Sequence, residues 1–292
     1  MFVRVLFLLV SLGFVSNASA GSSTDDPPEQ KAGAVEHGLP LEQQLPSAPA
    51  NNRLDASGKW IIHDRKRPQP KKVAPKSEAE LAAAATPPHD AIILFNGKDL
   101  SAWQPTTQWK VGDGYVESVP WTGPHTTNGY LVSKQGFGSC RIHLEWSTLN
   151  PPTGVDQNRG NSGVFLMSRY ELQVLDTYDN PTYVDGMAGA IYGQSPPLVD
   201  PIRPPGQWQY YDIVFHRPIF DASDKLVKPA TMTVDFNGIR VQDNTVVEGI
   251  TDNNKRHGYQ THDAHTVKAP LELQLHACIV RYRNVWVEPI AD

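Results

Sequence analysis

From residue 92 to the C-terminus, apolar side chains recur at every second position in short runs. Residues 141–146 (RIHLEW) set Ile142, Leu144 and Trp146 on one face and Arg141, His143 and Glu145 on the other, the period of a half-buried strand. The same pattern predicts strands over 163–167, 170–175, 209–216, 231–236, 239–242, 271–276 and 279–287. Asn237-Gly238 separates two of these runs. Both central positions of a type I′ turn need positive φ, which this dipeptide supplies. No long segment keeps a 3.6-residue apolar period, and the one helical-looking piece, SEAELAAAA, lies ahead of the strands. Many short strands joined by Gly and Pro turns predict an all-β fold, a jelly-roll sandwich of two antiparallel sheets.

Four of these strands carry polar side chains at alternating positions: His143 and Glu145; Glu171 and Gln173; Asp212 and His216; Glu272, Gln274 and His276. If the first, second and fourth sets share one face, they make a patch of carboxylates and imidazoles. A one-residue change of register would turn any of them over. The stretch 170–197 (YELQVLDTYDNPTYVDGMAGAIYGQSPP) is the most suggestive part of the chain. It puts Glu171, Gln173 and Asp176 on or beside a strand, where burial without a partner is costly. A sheet face that binds a multi-hydroxyl ligand needs such groups; a solvent-facing edge strand with a long loop would show them too.

Composition divides the chain. Residues 1–20 have the form of an export signal: Arg4, an apolar core too short to span a bilayer, and Ala18-Ser19-Ala20 as a cleavage site. The protein is therefore expected outside the cytoplasm, in the periplasm or medium, with no transmembrane segment. Residues 21–88 hold ten of the 25 prolines and a single aromatic, Trp60, too little apolar surface to offset the entropy of ordering them. They are expected to be a mostly disordered linker, in which residues 60–73 could dock as an extended strand anchored by Trp60 and Ile62. The basic residues Arg65, Lys66, Arg67, Lys71 and Lys72 there are expected to be a solvated hinge. Residues 89–292 form one domain. A net charge of −5 and a pI near 6.0 give no electrostatic case for nucleic acid as a partner. The two cysteines, Cys140 and Cys278, would be bridged or buried free in an exported chain. Nothing in the sequence sets the oligomeric state.

The segments LFNGKDLSAW, FGSCRIHLEW, GNSGVFL, YELQVLDTYDN, AGAIYGQSPP, RPPGQWQYYDIVFH, FNGIRVQDN and RNVWVEP occur in this order from residue 94 onward. In these the chain resembles the bacterial 3-keto-disaccharide hydrolase domains, also described as 3-keto-glucoside lyase/hydratase domains. The segment WIIHDRKRPQP is similar to a lead-in that precedes some of them. The resemblance implies a concanavalin-like jelly roll acting on 3-keto-glycosides. Two segments depart from the family pattern: Cys140 stands in an aromatic slot, and Leu275 stands where an acid is common, ahead of His276. That the two cysteines fall in the altered segments favours a bridge between them.

In such a substrate the ketone acidifies the neighbouring carbon–hydrogen bond. A base removes the proton, the enolate expels the glycosidic oxygen, and water adds back, for net hydrolysis. Glu145, Glu171 and His276 are the candidates for proton transfer. Asn161, Gln173 and Asp176 are candidates for binding hydroxyls, Tyr192 and Gln194 for the rim, and Trp121 for a stacking platform. A divalent metal ion held by Glu145, Glu171 and His276 could polarise the ketone, although no spacing in the sequence marks a metal site. A non-catalytic carbohydrate-binding module and an ordinary glycosidase using two carboxylates directly are the alternative readings.

Overall fold

The computed structural model describes residues 54, 55, 57–119, 129–251, 259 and 266–292. The expected signal peptide, the linker ahead of residue 54, and Trp121 lie outside the described residues. The strands in chain order are β1 (Lys71–Lys72), β2 (Ile92–Phe95), β3 (Trp109–Gly112), β4 (Tyr115–Ser118), β5 (Leu131–Phe137), β6 (Cys140–Thr148), β7 (Ser162–Leu166) and β8 (Tyr170–Val174). They continue with β9 (Val199–Asp200), β10 (Gln209–His216), β11 (Ile219–Phe220), β12 (Leu226–Lys228), β13 (Ala230–Phe236), β14 (Ile239–Val247), β15 (Ala269–Leu273) and β16 (Val280–Pro289). Among the described residues there is one α-helix, α1 (Glu78–Ala85), and none long and apolar enough to cross a membrane.

Two antiparallel sheets carry the fold. The larger runs β14-β13-β10-β6-β16-β4-β3, with β2 also paired to β16; the smaller runs β5-β15-β7-β8. Their facing sides meet in one apolar core. Ile142, Leu144 and Trp146 of β6 and Tyr211, Ile213 and Phe215 of β10 lie in it with Val164 and Leu166 of β7, Leu172 and Val174 of β8, and Leu271 and Leu273 of β15, none more than 2 % exposed. Each aliphatic or Phe side chain so buried stabilises the fold by about 1.5–3 kcal/mol. Two hydroxyls cross between the layers: Tyr282 donates to Ser162 Oγ at 2.6 Å, and Tyr211 donates to the Gln173 carbonyl at 2.7 Å. The Asn237-Gly238 turn has φ of 50° and 75°, the positive pair that its hairpin requires.

The segment before residue 89 is not a tether throughout. Ile62 is 1 % and Leu81 2 % exposed. β1 pairs in parallel with β9, Lys71 opposite Val199, which makes the expected docking strand shorter than 60–73. Of the supposed hinge charges, Arg65 is engaged with Asp156 and Arg67 with Asp55, while Lys66, Lys71 and Lys72 are exposed, Lys72 pairing with Asp179 at the surface. Helix α1 starts in a capping box, in which Ser77 Oγ accepts from the Glu80 N–H and Glu80 accepts from the Ser77 N–H. At its other end the Ala85 carbonyl accepts from Asn284 Nδ2 (2.9 Å) and Trp286 Nε1 (3.3 Å) of β16. Composition misses this because a few anchoring side chains and polar bonds, not a broad apolar face, hold the segment.

Cys140 and Cys278 are both free, so the bridge that the resemblance favoured is absent. The β6–β16 ladder pairs Pro289 with Cys140 and Val280 with Thr148. Cys278 therefore lies at the far end of the ladder from Cys140, on the order of 25 Å away at ~3.3 Å per residue, well beyond the span of a disulfide.

On the outer face of the larger sheet, His143 and Asp212 stand directly opposite each other, with Nδ1 and Oδ1 2.9 Å apart. Glu145 Oε1 lies 3.6 Å from the other ring nitrogen, and Trp286 stacks on the imidazole at 5.4 Å. Burial alone would lower the His143 pKa, but the hydrogen bond to Asp212 and the negative charges of Asp212 and Glu145 raise it above the ordinary 6.5. A raised histidine pKa contributes stability that is fully present below 6.5 and is lost as pH rises through the folded-state value. Asp212→Asn should therefore lower the thermal midpoint most below that pH, and the gap to wild type should narrow on the alkaline side. Melting curves of the two proteins across pH check this; a gap that does not change with pH would contradict it.

Candidate functional site on the smaller sheet

In β8 the core takes Tyr170, Leu172 and Val174, so Glu171 and Gln173 stand on the outer face of the smaller sheet. In β15 the core takes Leu271 and Leu273, which leaves Glu272 outward. Leu275 also joins the core, and Gln274, just past the end of β15, turns to the Glu272 side, where its amide meets Tyr130. Register completes the arrangement. Phe165 of β7 is paired with Glu171 on one side and Glu272 on the other, and Gly163 is paired with Gln173 while its carbonyl accepts from the Gln274 N–H. Two carboxylates thus flank an aromatic ring, and in the next row two amides flank a glycine.

Gly163 is there for space. A Cβ at this position would lie 2.3 Å from Glu171 Oε1, because the carboxylate lies over the glycine. Behind this face, Gln157 ties the site together. Its Nε2 donates to Thr182 Oγ1 (2.7 Å) and to the Gly186 carbonyl (3.0 Å). Its Oε1 accepts from Gln173 Nε2 (3.2 Å), and its carbonyl accepts from Asn161 Nδ2 (2.7 Å). Gln173 also donates to the Gly186 carbonyl (3.3 Å), while its Oε1 has no hydrogen-bond partner.

Tyr130 borders the same face. Its hydroxyl accepts from Gln274 Nε2 at 2.9 Å, and its ring lies 5.5 Å from Phe165. Burial pushes its pKa up to about 12; the Gln274 bond opposes this, and Glu171 and Glu272 add to it. It remains a phenol with a proton to donate. Burial also raises the Glu272 carboxyl above its ordinary value, with a bond from Ser168 opposing.

Several expected site residues are elsewhere. Glu145 lies on the opposite side of the sandwich, because Ile142, Leu144 and Trp146 fix the inward parity of β6. There it pairs with Arg283 (2.6 Å) and accepts from Asn284 (3.0 Å), which together with His143 hold its pKa low against the effect of burial. Asp176 leaves the face to pair with Arg159 (2.8 Å). Burial raises its carboxyl and Arg159 opposes it. Gln194 is not a rim residue: it donates to the Gly249 carbonyl (3.0 Å) and accepts from the Glu248 N–H (2.8 Å), so both ends hold that turn. Tyr192 is buried with its hydroxyl 3.0 Å from that of Tyr183. Leu275, the replaced acid, belongs to the core and does not face Glu171.

Glu171, Gln173 and Asn161 remain of the expected set, and His276 follows the end of β15. The sequence reading did not assign Tyr130, Gln157, Gly163 or a role for Glu272. Only Glu272 could have been found from its period-2 spacing with Gln274 and His276. Among the described residues no group of three or more His, Cys, Asp or Glu side chains is placed to hold a metal ion. The donor set expected for one is split, with Glu145 and Glu171 on opposite faces of the sandwich.

The model of the 3-keto-alpha-glucoside-1,2-lyase-like domain matches residues 90–288. A protein of Parabacteroides distasonis ATCC 8503, described as a "putative glycosyl hydrolase", is 34 % identical, with a TM-score of 0.64 over 84 % of this chain and 100 % of its own. A second protein of that organism, with the same description, is 18 % identical with a TM-score of 0.48 over 74 % and 98 % of the two chains. The carbohydrate binding module CBM66 from Bacillus subtilis is 12 % identical, with a TM-score of 0.33 over 68 % and 95 %. No curated protein matches the sequence. Over most of its length, the chain belongs to the 3-keto-alpha-glucoside-1,2-lyase-like domain family.

Proposed function

We propose that this protein is an exported carbohydrate-active enzyme, built on a concanavalin-like jelly roll, that cleaves 3-keto-glycosides by elimination and rehydration. The observation that carries the reading is the Glu171 carboxylate lying over Gly163, between the amides of Gln173 and Gln274 and beside a phenol that keeps its proton. Family membership supports the substrate class.

Glu171 takes the proton from the carbon between the ketone and the anomeric centre. The electron pair moves to the ketone oxygen, where the Tyr130 hydroxyl donates to the developing charge. The enolate collapses, the anomeric carbon–oxygen bond breaks, and protonated Glu272 gives its proton to the leaving oxygen. Water then adds its hydroxide to the anomeric carbon and returns a proton to Glu272, while Glu171 gives its proton back to the neighbouring carbon. Gln173 Oε1 accepts a substrate hydroxyl, and Phe165 provides the floor under the ring.

The two carboxylates also favour a second reading. Glu171 and Glu272 are two strands apart, ~9.6 Å at the backbone, which places their carboxyl groups near the ~6.5–9.5 Å of inverting glycosidases. Cleavage of an unoxidised glycoside would select this reading; a binding module would bind glycans without turnover.

Purified full-length protein should release aglycone from a 3-keto-glucoside and leave the parent glucoside intact. Glu171→Gln should lower kcat by at least ~10²-fold, and no release from several 3-keto-glucosides would overturn the proposal. Gly163→Ala should push the carboxylate off its seat and lower kcat/KM by ~10²-fold with little change in melting temperature. Glu272 must be protonated to act, so activity should fall as pH rises through its raised pKa. Glu272→Gln should flatten that alkaline limb in a kcat/KM profile.

A further inference from the structure

Residues 54–73 precede the region matched by the family, yet they pack on the loop that joins β8 to β9 and borders the site. Successive residues make the contacts. His63 donates its backbone N–H to Asp185 Oδ2 at 2.9 Å and lays its ring on Tyr183, with centroids 3.9 Å apart and planes 22° from parallel. Arg65 pairs with Asp156 and holds its guanidinium 5.5 Å over the same tyrosine ring. Gln69 Nε2 donates to the Thr182 carbonyl at 2.9 Å. His63 is 3 % exposed and has φ of 64°, a conformation that a non-glycine residue keeps only where surrounding contacts hold it.

The loop passes this placement on to the site. Thr182 and Gly186 take both amide hydrogens of Gln157, and Gly186 also accepts from Gln173. The turn under Tyr183 therefore sets how the Gln173 amide is presented. The likeness to the Parabacteroides distasonis structure covers 84 % of this chain, more than the roughly two-thirds spanned by residues 90–288, so it extends outside the matched domain.

Resting on the assignment of the smaller sheet's outer face as the substrate site, we infer that residues 54–73 are a strap belonging to the catalytic unit. His63 is its positioning residue: the ring fixes the 183–186 turn and, through it and Gln157, the Gln173 amide that binds a substrate hydroxyl.

The test uses the full-length protein and the variants His63→Ala and His63→Phe. Hydrogen exchange of peptides covering 182–193 needs no substrate. It should be at least tenfold faster in His63→Ala and return to the wild-type rate in His63→Phe, which restores a stacking ring. With a 3-keto-glucoside, His63→Ala should raise KM at least tenfold with kcat within about threefold of wild type, and His63→Phe should recover KM. Unchanged exchange in His63→Ala would overturn the strap whether or not the protein turns over that substrate. Wild-type KM in an active His63→Ala would overturn the positioning role. If His63→Ala is unfolded at the assay temperature, Arg65→Met decides by the same two measurements. It removes the guanidinium from over Tyr183, and wild-type exchange and KM in that variant would overturn the inference.

Discussion

The two-residue period of the strands, locked by a single apolar core, is the constraint on which everything else in this protein depends. Once Leu144 of β6 and Leu172 of β8 are committed inward, every neighbouring polar residue has its side of the sandwich chosen for it. The four polar sets divide accordingly. His143 and Glu145 join Asp212 on the larger sheet, and Glu171 and Gln173 join Glu272 and Gln274 on the smaller one. No shift short of turning a strand inside out could bring Glu145 to Glu171.

The two faces use the same residue types for different ends. On the larger sheet, carboxylates and cations neutralise one another: Asp212 and Glu145 flank His143, and Arg283 and Asn284 hold Glu145. Such a network is closed on itself, with His143 Nε2 facing Glu145 at 3.6 Å, and adds rigidity. On the smaller sheet, Glu171 and Glu272 share a row with an aromatic ring between them and amides beside them. Burial there shifts Glu272 and the Tyr130 phenol towards their protonated forms, the condition that proton-transfer chemistry needs.

Much of the architecture was legible in the sequence, because alternation and turn chemistry are local. RIHLEW, YELQV and the Asn-Gly hairpin each dictate their own conformation. Relations between strands were not legible. Which polar sets share a face depends on strand order, and strand order is set by loops whose lengths say little. Asp176 and Gln194 misled for a related reason: a polar residue after a strand looks the same whether it awaits a ligand or already holds a loop. The segment before residue 89 was undervalued because composition averages over residues, while Ile62, His63 and Leu81 act singly.

The carbonyl of Ala85, at the end of α1, receives two donors from the middle of β16, one amide and one indole. A fragment begun at residue 90, where the family model's match starts, would leave the Trp286 indole without its acceptor and Asn284 with Glu145 alone, above the centre of the larger sheet. The stretch matched by the family model is thus smaller than the stretch that must be synthesised together, and a boundary for expression or domain grafting belongs upstream of Leu54.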